Sequence, residues 1–399
     1  MQEFITVSFD EAVEKSINLI EKETPKEYIS CFDALGRVLA EPITCKKDLP
    51  SFNNSAMDGF AFSHKDLGKT LKIKETIYAG MNISACLNND ECYKIMTGAK
   101  IPSDVDTIIP FENCIHYDEN EVTLDNKTKK GSAFRFKGEE QAKGNILCNT
   151  GDVINSSVIA MLASQGITTI GVYKKISIAI FSTGDELKEP WDKASENEIY
   201  NVNSSALLSL LNEHGFQADY CGVIPDNLEE SIQYFSKMKR YDAIVTTGGI
   251  SMGEADFVEE ALKSNGFKES FHGINIKPGK PTMMGTMGDT LVASMPGNPL
   301  AAYVNTFLLL IPALKKLQGC TNFVHEKVLA NNSQKFSVKP GRVNIVLGNL
   351  KDGNFVAFNN NKYASGMITP IINSNVILIS KENDSIIEEN TQLKVVYFK

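Results

Sequence analysis

The sequence predicts a multidomain α/β protein with a doubly wound domain at its centre and β-rich regions on both sides. Three observations predict this fold class. Strand-like and helix-like segments alternate between about residues 173 and 320, which favours a parallel sheet with helices on both faces. Two runs there, ISIAIFS and DAIVTT, are almost wholly apolar, as strands buried on both faces are. A length of 399 residues allows about two to four domains.

The elements before the central domain are predicted in chain order. Ser8 and Glu11 have the spacing of a capping box, and apolar residues follow at helical spacing, so the chain should open with a helix. From about residue 45 to 140, short apolar runs alternate with Gly, Asn, Asp and Pro. That texture predicts a small β-rich module.

Two further predictions concern the central domain and the tail. The run from Asn203 to Gly215 reads as an amphipathic helix, with Asn203 as its cap and Gly215 as its stop. Beyond about residue 322, strand-like pieces return, and Lys351-Asp352-Gly353-Asn354 is a hairpin signal. The tail is therefore expected to be a small barrel or sandwich.

Composition limits the classes of function. Lys and Arg number 40 against 49 Asp and Glu, which gives a net charge of −9. A protein that reads nucleic-acid phosphates usually carries a basic excess, so duplex binding is disfavoured. An anionic small molecule would need local donors or a metal ion. The hydrophobic fraction of 42% excludes wholesale disorder.

The sequence also suggests where the protein works. The N-terminus lacks the basic and apolar blocks of a signal peptide, and the apolar stretch from Ala301 to Leu314 is too short to span a bilayer. The eight cysteines form no CxxC motif, so we expect reduced thiols. We expect a cytoplasmic protein.

The segment DAIVTTGGISMGEAD is the most informative for chemistry. Its strand delivers Gly248 and Gly249 at the carboxyl end, where open α/β sheets bind ligands, and Ser251 adds a hydroxyl. Adjacent glycines allow backbone amides to approach an anion. The alternative is a turn that needs glycine only for its geometry. No GK[ST] follows and no GxGxxG is present, so a nucleotide P-loop or a nicotinamide site is disfavoured.

Two other strand ends carry similar loops. One, which contains Thr183, Gly184, Asp185 and Glu186, comes just after the first strand, and the other is the turn MPGNP after the third strand. Because the carboxyl ends of parallel strands lie at one edge of a sheet, we expect the three loops to converge. The alternative is three unrelated turns.

Acidic and basic residues on these loops suggest a metal-assisted phosphate site. Crowded carboxylates repel one another unless they are protonated or bridged by a cation, and Mg²⁺ commonly bridges carboxylates to phosphates. Lys277 and Lys280 in IKPGKP could balance phosphate charge, although isolated surface charges are more often simply solvated. The acidic residues concerned are Asp185, Glu186, Asp226, Glu254 and Asp256.

A second rich region lies in the β-rich module. PSFNNSAMDGFAF contains Asp58, and it is followed by MTGAKIP and by a segment in which Arg135 adjoins Glu139 and Glu140. Arg135 could bind an oxyanion, but composition alone favours a structural ion pair with these glutamates. No GxSxG motif or Ser-His-Asp order is present, so metal-assisted cleavage of a phosphate bond fits the residues better than nucleophilic catalysis.

Taken together, these motifs resemble the molybdopterin molybdenumtransferase family, which comprises MoeA and the gephyrin E-domain. The matching segments are PSFNNSAMDGFAF, MTGAKIP with VDTIIPFE, STGDEL, VTTGGISMGEAD, IKPGKP and MPGNP, in family order. The resemblance implies four domains in an elongated homodimer. These are a discontinuous dimerisation domain at 1–44 and 141–172, a β-rich insert at 45–140, a molybdopterin-binding α/β domain at 173–321 and a β-barrel at 322–399.

The resemblance also implies a reaction. Molybdenum from molybdate is inserted into adenylylated molybdopterin, and AMP is released with the help of Mg²⁺, in a cleft between the α/β domain of one subunit and the β-rich insert of the other. The implied catalytic residues are Asp58, Glu186, Asp226 and Asp256, with Glu186 and Asp256 as metal ligands. The expected substrate-binding residues are Thr97, Arg135, Glu140, Thr183, Gly248, Gly249, Ser251, Lys277, Lys280, Pro296, Pro299 and Ser365.

Three positions depart from the family pattern. Glu140 stands where an Asp is usual, Asp104-Val105 replaces a Gly-Ala pair, and Gly273 falls where some members have a lysine. Two other functions remain open. The related single-domain proteins adenylylate molybdopterin, and gephyrin-like proteins also act as non-catalytic scaffolds. A separate adenylylating protein is a further expected partner.

Overall fold

The computed structural model describes residues 6–19, 24–82, 86–224, 227–250 and 257–399. The chain forms two compact units. The larger unit comprises Met1–Glu41, Thr150–Ser156 and Thr169–Lys399, and the smaller unit comprises Pro42–Asn149 and Ser157–Thr168. The four-domain division expected from the sequence stays a prediction, and each unit is described by itself below.

A six-stranded sheet forms the centre of the larger unit. Its first four strands run parallel, and its last two are antiparallel additions at one edge. The chain proceeds from Ile178–Thr183 to a neighbour on one side and then to Ala243–Thr247 on the other, so a topological switch point lies between these two strands. In spatial order the strands are Ala218–Ile224, Ile178–Thr183, Ala243–Thr247, Thr290–Met295, Met283–Met287 and Phe267–His272.

Helices cover both faces of this sheet, as the sequence predicts for a doubly wound domain. Side chains of a strand alternate between the two cores: Ile178 and Ile180 face one, while Ala179 and Phe181 face the other. The first core is covered by Phe9–Ile17, Val202–Glu213, Pro299–Asn305 and Ile311–Leu317. The second is covered by Leu228–Met238 and Phe257–Ser264.

Two helix ends test the sequence reasoning directly. The Ser8 side chain accepts a hydrogen bond from the Glu11 amide (3.2 Å), which confirms the predicted N-cap. The cap predicted at Asn203 is wrong, because Asn201 caps that helix by accepting from the Ser204 amide. Asn203 lies inside the first turn and is therefore available for another contact.

One helical run is longer than the sequence suggested. Pro299–Asn305, a π-helical turn at Thr306–Leu310 and Ile311–Leu317 follow one another without a break. Over these 19 residues the run is long and apolar enough to cross a membrane, but 89% of its most apolar part is buried inside the protein. It is a core helix, and Pro312, which lacks a backbone N–H, lies two residues after the π-helical turn.

The C-terminal part of the larger unit is a closed barrel, which confirms one of the two predicted alternatives. The ring closes because Val343–Lys351 pairs with both Asn354–Ala357 and Val376–Ile379. The predicted hairpin turn is present, with Asp352 and Gly353 at positive φ. The other strands of the ring are Lys327–Asn332 and Gln392–Tyr397, and Ile276–Lys277 adds to it from outside.

A second six-stranded sheet forms the smaller unit, so the β-rich texture was interpreted correctly. Its spatial order is Thr107–Pro110, Gly59–Phe62, Glu91–Ile95, Thr70–Ile77, Glu121–Thr123 and His116–Tyr117. Helix Ser156–Ser164 begins at the junction of the two units. Short paired strands are Lys26–Ser30 with Thr169–Tyr173, Ile43–Thr44 with Ile146–Cys148, Asn54–Ser55 with Phe134–Arg135, Leu187–Lys188 with Ile199–Tyr200, and Phe336–Ser337 with Ile386–Ile387.

Candidate active site

Three strand-end loops of the larger unit meet in one cavity of about 250 Å³, which we call the sheet-edge pocket. The pocket lies at the carboxyl ends of the parallel strands, beside the switch point of the sheet. The predicted convergence of the three loops is therefore confirmed. The lining residues are Thr183, Gly184, Glu186, Leu187, Ile199, Asn203, Thr247, Gly248, Gly249 and Gly297.

Glycine is required at two positions of this pocket. Gly248 and Gly249 have φ of +83° and +64°, in the left-handed region. A Cβ on Gly248 would lie 2.8 Å from the Thr183 hydroxyl oxygen, and one on Gly249 would lie 2.6 Å from a methyl group of Val258. The Gly248 amide already donates to the Met295 carbonyl (3.1 Å), so this amide does not serve as the anion donor that the glycine pair suggested.

Hydroxyl groups bind the strand ends to one another beneath the pocket. The Ser182 hydroxyl lies 3.1 Å from the Thr247 hydroxyl, and the Thr183 hydroxyl donates to the Thr247 carbonyl (3.2 Å). Asn203 donates from its side-chain amide to the Gly297 carbonyl (2.8 Å), while its Oδ1 is buried without a hydrogen-bond partner in the described part of the chain. Asn203 thus links the first helix after the sheet edge to the turn after Met295.

Glu186 supplies the carboxylate of the sheet-edge pocket. Its side chain is exposed, and the absence of a side chain at Gly184 makes room for it, since a Cβ there would lie 2.7 Å from a Glu186 carboxylate oxygen. The Thr183 hydroxyl also lines the pocket, so it offers a second side-chain oxygen beside the Glu186 carboxylate. Four other predicted residues of these loops lie outside the described residues: Asp226, Ser251, Glu254 and Asp256.

A second cavity of about 490 Å³, the cationic pocket, lies between the IKPGKP loop and the barrel. Lys277, Lys280 and Arg342 line it, and none of its described lining residues is acidic. The Nε atom of Arg342 is buried and has no hydrogen-bond partner among the described residues. Other polar lining residues are Asn298, Asn344, Asn361, Tyr363 and Ser365, and Pro278, Pro281 and Pro296 stiffen the wall.

Buried Asn305 fixes the loop that carries the two lysines. Its side-chain amide donates to the Gly279 carbonyl (2.9 Å) and also contacts the Thr282 hydroxyl. A Cβ on Gly279, whose φ is +102°, would collide with the Asn305 side chain. The loop is thus held at its middle from inside the protein, and its lysine side chains stay exposed.

One turn separates the two cavities. Pro296 and Asn298 line the cationic pocket, whereas Gly297 between them lines the sheet-edge pocket. A Cβ on Gly297 would lie 3.7 Å from the Cα of Gly248, so the turn also packs against the glycine pair. Pro299 begins the core helix immediately afterwards. Apart from Pro299, the predicted catalytic and substrate-binding residues of the larger unit that the structure describes therefore line two adjacent cavities with a common wall.

The predicted residues of the smaller unit form two exposed clusters. In the first, both the amide and the hydroxyl of Thr97 donate to one carboxylate oxygen of Asp58, each at 2.7 Å. These hydrogen bonds hold the pKa of the Asp58 carboxyl below its usual range, the backbone bond having the larger effect. Asp58 therefore stays ionised as a fixed, solvent-facing negative charge.

Arg135 forms the second cluster with two glutamates. Its Nε lies 3.3 Å from Glu139, and its terminal nitrogen lies 3.5 Å from Glu140. All three side chains are well exposed, so these ion pairs contribute about 0–1 kcal/mol to stability. Glu140, which departs from the family pattern, still reaches Arg135.

Sequence reasoning missed Arg342, Asn203 and Asn305 as parts of these sites. Arg342 lies in KPGRVN, far along the chain from IKPGKP, and only the barrel brings it beside the lysines. The available signal was a Pro-Gly turn that places Arg342 immediately before a strand. Asn203 was interpreted as a cap, and nothing in the sequence distinguishes Asn305 from the apolar helix around it.

The chain matches known protein families along most of its length. Three family profiles match successive parts of the chain: the MoeA N-terminal region (domain I and II) at residues 7–166, the probable molybdopterin binding domain at 179–316, and the MoeA C-terminal region (domain IV) at 330–398. Together they cover most of the chain, in the order that the motifs suggested.

Curated relatives and solved structures agree with the profiles. A molybdopterin molybdenumtransferase of Haemophilus influenzae is 32% identical over 316 residues, which are 78% of each chain. One from Staphylococcus epidermidis is 33% identical over 321 residues, 78% of this chain and 76% of the relative. The crystal structure of a molybdopterin biosynthesis MoeA protein from Pyrococcus horikoshii superposes with a TM-score of 0.85 at 25% identity, over 98% of this chain and 100% of that one.

Proposed function

Because the chain belongs to the MoeA family, whose members serve molybdenum cofactor biosynthesis, we propose that it is a transferase that inserts molybdenum from molybdate into adenylylated molybdopterin and releases AMP. The single observation that carries this proposal is the pair of cavities on either side of the Pro296–Asn298 turn. A transfer between two substrates needs two adjacent sites of different chemistry.

The cationic pocket is the proposed molybdate site. Molybdate is a tetrahedral dianion, and Lys277, Lys280 and Arg342 supply positive charge with no opposing carboxylate among the described lining residues. The buried, unpartnered Nε of Arg342 supports this role, because an unsatisfied donor in a cavity favours an oxyanion ligand. The nearby Ser365 offers a further polar group.

The sheet-edge pocket is the proposed site for the phosphate-bearing end of the adenylylated pterin. It lies where α/β sheets bind phosphorylated ligands, and it is lined by glycines that allow close approach. Its donors are oxygens, from Glu186 and the Thr183 hydroxyl, which fit Mg²⁺. Glu186, together with Asp256, would hold that ion, which would neutralise charge on the phosphates as AMP leaves.

A homodimer would complete the site. The Asp58–Thr97 and Arg135–Glu140 clusters are ordered by their own neighbours and exposed, as groups that act on a partner are. In the larger unit, Tyr28, Phe32 and Leu35 are exposed by 67%, 76% and 67%. Large apolar side chains exposed close together in sequence support burial against a second copy of the chain. We place this homodimer in the cytoplasm, with an adenylylating protein as a further partner.

Two other functions are less well supported. Adenylylation of molybdopterin does not explain why the chain has the β-rich unit and the barrel whose Arg342 contributes to the cationic pocket. A purely scaffolding role does not explain the fixed Asp58 carboxylate or the pair of cavities.

Complementation between inactive variants tests the proposal. AMP release from adenylylated molybdopterin is measured with molybdate present. Glu186→Ala and Asp58→Ala should each abolish AMP release while the chain stays folded, because both side chains are exposed. Asp58→Ala should lower the melting temperature slightly, since the Thr97 amide and hydroxyl lose their acceptor. Refolded mixtures of the two should recover about a quarter of the activity, since half the protomers form hybrid dimers, each with one intact site.

The outcomes separate the alternatives. Wild-type activity that needs ATP and free molybdopterin instead of the adenylate would favour adenylylation. Inertness in both assays would favour a scaffold. Mixed variants that stay inactive would contradict a cleft shared between subunits.

A further inference from the structure

A side-chain cluster outside both cavities has the composition of a metal site. It comprises Glu259 on the helix Phe257–Ser264, and Glu269 and His272 on the edge strand Phe267–His272. A carboxylate oxygen of each glutamate and a ring nitrogen of the histidine all lie within 4.8 Å of one another. His272 is only 3% exposed, whereas Glu269 is exposed at the mouth of the cluster.

A β-bulge brings two of the three residues to the same face. Residues 269 and 272 of a regular strand would point to opposite faces, because side chains alternate. The pairing register shifts between Glu269 and Phe271, so the extra residue Ser270 reverses the alternation. Phe271 consequently packs in the first core, while His272 turns towards the same side as Glu269.

Each ring nitrogen of His272 lies near a hydrogen-bond acceptor. Nε2 lies 3.4 Å from the Ile250 carbonyl oxygen, and Nδ1 lies 3.5 Å from Oε2 of Glu259. If Nε2 carries the proton and donates to Ile250, the lone pair of Nδ1 faces a carboxylate lone pair. That contact is favourable only when a proton or a metal ion lies between the two atoms.

We propose that Glu259, Glu269 and His272 bind a divalent transition-metal ion of the zinc class. With ligand distances of about 2.1 Å, two ligands of a tetrahedral ion lie about 3.4 Å apart, which is close to the spacing of Nδ1 and Oε2. The contact from Nε2 to a backbone carbonyl is the arrangement that orients metal-ligating histidines and fixes their tautomer.

The chemistry of the cluster selects against Mg²⁺. A nitrogen ligand and two carboxylates suit zinc or cobalt, whereas Mg²⁺ prefers an octahedron of oxygens. Lys263 contacts Oε1 of Glu259, whereas Oε2 is directed at the histidine. With one lysine against two glutamates, the local charge still favours a cation.

A bound ion would join three elements next to the sheet-edge pocket. It would tie the edge strand to the helix beginning at Phe257 and, through Nε2 of His272, to Ile250, which directly follows the glycine pair. This would be a structural site, distinct from the Mg²⁺ site proposed at Glu186, and it does not depend on the proposed reaction.

Cobalt binding tests the inference, because tetrahedral Co²⁺ absorbs visible light far more strongly than hydrated Co²⁺. All titrations use the chelator-treated full chain carrying Glu186→Gln, which removes the sheet-edge carboxylate. We expect one equivalent of Co²⁺ to give a tetrahedral spectrum that Zn²⁺ abolishes and excess Mg²⁺ does not. Glu269→Gln and His272→Asn should each weaken Co²⁺ binding at least about ten-fold.

The controls keep the result interpretable. Glu260→Gln changes an exposed neighbour on the same helix and should leave Co²⁺ binding unchanged. Because His272 is buried, its variant could unfold, but Glu269 is exposed and its variant should keep the wild-type melting temperature. The absence of a tetrahedral spectrum, or a spectrum insensitive to Glu269→Gln, would overturn the metal site and leave a direct contact between the His272 ring and the Glu259 carboxylate as the explanation.

Discussion

The two cavities of the larger unit share a wall but differ in almost every other property. The sheet-edge pocket is smaller, about 250 Å³ against 490 Å³, and it is built from glycines and a carboxylate. The cationic pocket is built from two lysines, an arginine and three prolines. In the sheet-edge pocket the backbone can come close to a ligand, whereas in the cationic pocket charged side chains reach it.

This difference in charge explains how two adjacent cavities can discriminate between two anionic substrates. A pocket that contains Glu186 repels a bare anion and accepts one accompanied by a cation. A pocket with three positive charges attracts a bare oxyanion directly. Substitutions in either wall should therefore affect the two substrates separately, and substitutions in the common turn should affect both.

The largest effect is expected from Gly248→Ala, which should abolish the sheet-edge pocket alone. Alanine at this positive φ costs about 1–2 kcal/mol, and its methyl group would collide with Thr183. A displacement of about 1 Å at a reacting group lowers rates by about 100-fold, so AMP release should fall at least that much. Molybdate binding, measured by calorimetry, should change little.

Gly215→Ala is the matched control for backbone strain. Gly215 has a φ of +84°, nearly that of Gly248, but a Cβ there would meet nothing within 4 Å. Its variant should lose stability and keep the wild-type rate of AMP release. If both variants lose the same fraction of activity, backbone strain is responsible and not the methyl group in the pocket. The proposed role of the sheet-edge pocket would then lose its support.

An intermediate effect is expected from Arg342→Gln, which should weaken the cationic pocket alone. Hydrogen bonds to charged groups contribute about 1.5–3 kcal/mol, so the molybdate concentration for half-maximal activity should rise about ten- to a hundred-fold. Binding of AMP at the sheet edge should not change. Arg342→Lys keeps the charge but loses the fork of donors, so its effect should lie between those of wild type and Arg342→Gln.

If the glutamine and lysine variants weaken molybdate binding equally, the donor geometry of the arginine, and not its charge, determines that binding. An unchanged response to molybdate in both variants would remove the proposed oxyanion from this cavity.

The smallest effect is expected from Asn203→Ala, which loosens the common turn. The variant loses the hydrogen bond to the Gly297 carbonyl, worth about 1 kcal/mol, or about five-fold in an equilibrium constant. Apparent affinities for AMP and for molybdate should both fall by roughly this factor. Ser209→Ala, in the same helix but with its hydroxyl bonded to the Ser205 carbonyl, should change neither affinity. A change in only one affinity would show that the turn is not a common wall.

Local sequence patterns predicted the parts of the molecule that local physics determines. The convergence of the loops that begin after Thr183 and Thr247 follows from apolar parallel strands that are followed by glycine, and the hairpin at Asp352 follows from turn chemistry. The cap at Asn203 was misplaced by two residues, because several polar residues there have similar propensities. Residue propensities do not distinguish between neighbouring polar residues as the N-cap of a helix.

Long-range placement was beyond the sequence. The lysines of IKPGKP were grouped with the phosphate loops, whereas they lie in a separate cavity completed by Arg342 from the barrel. The two antiparallel edge strands, and the bulge that turns His272 towards Glu269, depend on pairing partners that no short pattern specifies. Asp226, Ser251 and Asp256 stay predictions, since they lie outside the described residues.

The turn from Pro296 to Asn298 has one more consequence, which concerns thermodynamic linkage. If an occupant of the sheet-edge pocket shifts this turn, it changes the affinity of the cationic pocket, and the reverse effect must then have the same magnitude. The occupancy of each pocket would therefore depend on the other before any chemistry occurs: positive coupling would favour joint occupancy, and negative coupling would favour one substrate at a time.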